Sequence, residues 1–113
     1  MFAVDGNDIR IMRGDTGVFT LNLEQDGQPY DYSEDSVVLT VRRSVHDPEV
    51  LIRKDILYGE NVAIAPEDTA ELPCGTYWYD VQLTTQAGVV DTVIPPSRFV
   101  VLMDVTRGGD GDG

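Results

Sequence analysis

The stretch from Pro66 to Leu83, PEDTAELPCGTYWYDVQL, limits what this chain can fold into more than any other. Pro66 suits the first position of a short helical turn, expected over 66–72, and polar residues then lead to an apolar hinge at Leu72. Gly75 frees the backbone for a change of direction, and from Thr76 to Thr84 the residues alternate. Successive strand side chains point to opposite sides, so Tyr77, Tyr79, Val81 and Leu83 share one face, and Trp78, Asp80 and Gln82 share the other. The first set reads as core. Two buried tyrosines bring two hydroxyls that need acceptors, and Tyr77 is placed to send its hydroxyl back to the backbone just upstream. Trp78 is the outlier, a large ring on the polar side of the strand. Either it is covered by loops and by the Arg42 stem, or it anchors an interface.

The rest of the chain reads as short strands between turn signals. Asp8–Met12 is followed by the turn Arg13-Gly14-Asp15-Thr16-Gly17, and Val18–Glu24 places Phe19, Leu21 and Leu23 on one face. Asp26-Gly27 marks a turn, and Pro29–Asp35 reads as an acidic loop. Ser36–Arg43 points Val37, Leu39 and Val41 inward and Thr40 and Arg42 outward. Arg53, Lys54 and Asp55 in the middle of Val50–Leu57 mark an edge strand, where charge blocks unwanted pairing. Val62–Ala65 precedes the helical turn. Thr76–Thr84 and Val89–Ile94 form a hairpin about Gln86-Ala87-Gly88, Pro95-Pro96 breaks the ladder, and Phe99–Thr106 closes the chain.

Seven or eight short strands at this spacing predict an all-β fold, an immunoglobulin-like antiparallel β-sandwich with one helical turn. Leu72, Gly75 and Tyr77 form its structural corner, where the chain crosses between sheets and a tyrosine at the start of the incoming strand ties it down. The length of 113 residues allows one domain, over 1–107, and the closing GGDGDG at 108–113 reads as a flexible tail.

Charge narrows the partners. Twenty acidic residues against eight basic ones give a net charge of −12, which disfavours nucleic acid and anionic membrane surfaces. No apolar run is long enough for a membrane span, and MFAVDGND lacks the basic and apolar regions of a secretory signal. One cysteine, Cys74, excludes an intrachain disulfide. With a single histidine, His46, no zinc set forms from these ligand types, and no nucleophile elbow or phosphate loop is present. Asp31, Glu34 and Asp35 offer oxygens to calcium, but a solvated acidic loop is the simpler reading. Arg13-Gly14-Asp15 spells a tripeptide that integrins recognise, and turn chemistry accounts for it more simply. No enzyme, cofactor or metal is expected.

The order of landmarks resembles the N-terminal domain of phage baseplate upper proteins and related tail-fibre attachment domains. The residues that carry the likeness are Arg13-Gly14-Asp15-Thr16, Asp26-Gly27-Gln28-Pro29, Val37 to Arg42, Pro66 to Thr69, Gly75-Thr76-Tyr77-Trp78-Tyr79-Asp80, and Phe99 to Arg107. The resemblance implies a structural module of a virion, assembled in the bacterial cytoplasm, that binds other virion proteins or itself. On this reading Trp78, Asp80 and Gln82 form the partner-binding face. The alternative is a small adhesion or carbohydrate-binding module in which Trp78, Tyr30, Tyr32 and Tyr58 stack on sugars.

Overall fold

The computed structural model describes residues 2–5 and 7–103, the first four as backbone alone. Ten strands and one helical turn follow in order. They are β1 (Phe2–Asp5), β2 (Asp8–Met12), β3 (Gly17–Phe19), β4 (Glu24–Gln25), β5 (Gln28–Pro29), β6 (Ser36–Arg42), β7 (Ile52–Asp55), β8 (Val62–Ile64), α1 (Pro66–Thr69), β9 (Gly75–Thr84) and β10 (Val90–Leu102). Six of them make one curled sheet in the order β1-β2-β10-β9-β6-β7, while β3 with β8 and β4 with β5 form small two-stranded sheets. The fold is all-β and sandwich-like with a single short helix, as expected. The expected tail at 108–113 and the end of the closing strand lie outside the described residues.

Alternation builds the core. The inward residues of the large sheet are Ile9 and Ile11, Phe99 and Val101, the four predicted on β9, and Val37, Leu39 and Val41 on β6. Val62 and Ile64 of β8 cover them from the second layer, together with Leu21, Tyr32, Ile56 and Leu72. Val18 and Ala63, paired across β3 and β8, face outward.

The edge expected from Arg53, Lys54 and Asp55 is where β7 lies. Lys54 stands in register with Leu39 and reaches the Asp68 carboxylate of α1 at 2.7 Å, an inward charge that discourages further strand addition. The same carboxylate accepts the Ala65 N–H at the start of α1. At Asp26-Gly27 the φ angles are 54° and 79°, the positive pair that a two-residue hairpin requires. The Arg-Gly-Asp tripeptide is a turn: the Asp15 N–H donates to Met12 O, and Gly14, at φ 84°, donates its N–H to the fully buried Thr69 hydroxyl.

Four features depart from the sequence expectations. First, β2 pairs with β10 in parallel, so the sheet is mixed and not antiparallel throughout. Alternation reports which face a side chain takes and carries no information on strand direction. Second, β1 adds an edge strand to β2 that the short apolar run at 2–4 does not announce. Third, Val18–Glu24 keeps its inward–outward alternation, but the ladder stops at Phe19 and resumes only at Glu24. Fourth, Pro95-Pro96 does not end a strand. β10 runs on through register shifts between Thr92 and Ile94 and between Ile94 and Ser97, a bulge that accommodates residues without N–H donors.

Both β9 tyrosines are sequestered. Tyr77, 3% exposed, donates its hydroxyl to Pro73 O, the bond expected of the corner, and Arg43 stacks over its ring at 5.9 Å. Tyr79, 4% exposed, donates to Asn7 O and meets the Phe99 ring edge-on. Gly75, at φ 152°, takes a conformation that L side chains rarely adopt.

Tyr77→Phe deletes the corner hydrogen bond and is expected to lower unfolding free energy by about 1–2 kcal/mol in urea titrations, with the fold retained. Burial, with a smaller contribution from Asp8, pushes the Tyr79 phenol up to about 12 from 10.0 in the unfolded chain. A raised phenol stabilises the fold fully below pH 10, and that share is lost as pH rises through about 12. Urea titrations at pH 8 and near pH 12 are expected to show a drop of about 2–3 kcal/mol in the wild type beyond that of Tyr79→Phe.

Candidate functional site

Strand β9 presents Trp78, Asp80 and Gln82 on the side of the sheet away from the core, in the alternation the sequence predicts. Trp78 and Asp80 are half-buried and Gln82 is exposed. The indole sits in a cross-strand row, with Arg42 of β6 on one side and Arg98 of β10 on the other. Thr40, Arg42, Val45, Asp80 and Pro96 wall a shallow groove beside it. Arg42 and the loop after β6 shield the indole in part, and Trp78 stays half-buried.

Arg42 is held in place. Its Nη1 donates to the carbonyls of Asp47 and Pro48 at 3.1 and 2.7 Å, which draws the 44–49 loop toward the groove. Arg98 lies 3.8 Å from the Asp8 carboxylate, a loose and exposed pair. Arg10, Arg42, Arg53 and Arg98 all stand on this outward face, half of the chain's eight basic residues. Asp8, Asp55 and Asp80 stand on the same face, so it is close to neutral, far less acidic than the net charge implies, and a second copy meets little repulsion there.

Sequence reasoning missed Val45, Arg98 and Pro96 as neighbours of Trp78. Arg98 was legible from its alternation with buried Phe99, but Pro96 arrives only through the bulge in β10.

The tyrosines proposed for a joint sugar platform with Trp78 are not with it. Tyr30, Tyr32 and Tyr58 line a separate groove, together with Leu21, Asn22 and Glu24. Within it Tyr32 is buried, packs edge-on against Tyr58 at 5.0 Å and donates to Leu21 O. Burial raises its phenol pKa, with the nearby Tyr58 adding to the effect. Tyr30 donates to the Asp35 carboxylate, and that bond, ahead of burial and neighbouring carboxylates, raises its pKa.

The three acidic residues weighed for calcium are each engaged separately. Asp31 has its pKa lowered by the Ser33 side chain and, less, by the Ser33 N–H that it accepts, Glu34 accepts from Gln86, and Asp35 accepts from Tyr30. Among the described residues no group of three or more His, Cys, Asp or Glu side chains is placed to hold a metal ion, and no helix is long and apolar enough to cross a membrane. Cys74 and His46 are both exposed.

No family model matches the chain, and no curated protein or solved structure was found to resemble it.

Arg42→Ala frees the 44–49 loop and removes the stem beside Trp78. Because Trp78 is the single tryptophan, its fluorescence reports this directly. The emission is expected to shift to the red, with stronger acrylamide quenching and a stability loss of about 1–2 kcal/mol.

Proposed function

We propose that this chain is a non-enzymatic interaction module of a bacteriophage or prophage particle, a tail, baseplate or virion accessory protein. It docks other virion proteins, or a second copy of itself, through the outward sheet face around Trp78. The observation that carries this reading is the half-buried Trp78 between Arg42 and Arg98, on the outer surface of the sheet opposite the packed core. Tryptophan and arginine are the residues that most often dominate binding energy at interfaces. The near balance of arginines and aspartates on this face permits self-association despite a net charge of −12. In a symmetric particle one modest contact is repeated many times, so avidity compensates for weak single contacts.

The virion setting rests on the likeness of the Gly75-to-Asp80 strand and its flanking turns to phage attachment domains. Tail or capsid genes beside the coding sequence are its expected genomic context.

Sedimentation equilibrium across a concentration series tests the docking face. The wild type is expected to associate with a blue shift of Trp78 emission, and Trp78→Ala is expected to weaken association by about 2–4 kcal/mol. A wild type that stays monomeric and captures partner virion proteins equally well with and without the indole would overturn the assignment.

A further inference from the structure

The core of this sandwich is open along one seam. Six hydrophobic side chains pack against the core while remaining partly exposed, and three of them, Leu23, Tyr30 and Val93, line one groove beside β10. Its first wall is the 19–25 segment, which leaves β8 at Phe19 and runs to Glu24 without a ladder. Its second wall is a strand edge. β10 pairs with β9 along its length, but β2 covers its other side only from Phe99 to Leu102. Over Val90–Ile94 no described strand lies beside that edge. Pro95 and Pro96, which lack N–H groups, close the edge toward β2 and confine any added strand to those five positions.

The groove also has a sign. Glu24 and Asp91 are among its walls, and the Asp35 carboxylate binds the Tyr30 hydroxyl at its mouth. No lysine or arginine lines it among the described residues. The outward Trp78 face, by contrast, carries four arginines.

We infer that this seam receives an extended segment of a partner protein, added as a strand to β10 at Val90–Ile94. Its alternate side chains are apolar and fill the seam between Leu23 and Val93, and its end beside Tyr30 and Asp91 carries lysine or arginine. Main-chain hydrogen bonds to an open edge supply affinity, and the pockets for alternate side chains supply selectivity. The acidic mouth sets the direction in which the segment enters. This site is independent of the Trp78 face.

The test uses two short labelled peptides of alternating valine and threonine, one closed by two lysines and one by two aspartates. The lysine peptide is expected to bind about tenfold tighter at low salt and to slow amide exchange at Val90–Ile94. Asp91→Lys, a substitution at an exposed position, is expected to reverse that ranking, and Trp78→Ala to leave it unchanged. Unaltered exchange at Val90–Ile94, or equal binding of both peptides in the wild type and in Asp91→Lys, overturns the proposal. So does an oligosaccharide that occupies the Tyr30–Tyr58 groove while neither peptide binds.

Discussion

Two phenols in one strand hold this structure together, and each does so by donating to a main-chain carbonyl outside β9. Tyr77 ties β9 to the corner at Pro73, and Tyr79 ties it to Asn7 at the entrance to β2, across 72 positions of sequence. Rings of this size bury large apolar areas, but a phenol whose hydroxyl finds no acceptor forfeits much of that gain. With both hydroxyls satisfied, β9 becomes the fixed reference between β10 and β6. The strand period then leaves no freedom over the other side chains. Once Tyr77 and Tyr79 point in, Trp78, Asp80 and Gln82 must point out.

What the sequence made legible follows from that period. The inward sets of β6 and β9 were readable because one wet face and one dry face impose strict alternation. The edge position of β7 was readable because Arg53, Lys54 and Asp55 would be intolerable at the centre of a sheet. The corner was readable because Leu72, Gly75 and Tyr77 occur in the order its geometry needs. Pairing partners were not readable, since the parallel contact of β2 with β10 depends on packing between distant segments. Pro95-Pro96 misled for a related reason: a proline pair signals a missing donor, but only the neighbouring strand decides whether the ladder ends or bulges around it. The Trp78 face was visible as three alternate residues. The open seam was not, because it is defined by strands that fail to meet.

The distribution of charge gives the molecule two unlike surfaces. On the outer side of the large sheet four arginines nearly offset Asp8, Asp55 and Asp80, while carboxylates crowd the mouth of the groove beside Tyr30. A net charge of −12 averages over this and hides it. A basic partner would be drawn toward the groove and not the outer sheet face before any close contact forms, since such fields act over a Debye length of about 10 Å.

The parallel seam between β2 and β10 has a consequence for biogenesis. Asp8 and Arg98 bond across 90 positions, so β2 lacks its β10 neighbour until the chain between them has been made. Loops of that length close slowly, and an orphaned strand is exposed to wrong partners in the meantime. Completion of the sheet therefore waits for β10, and a product truncated before Phe99 would leave β2 without the strand that seats it.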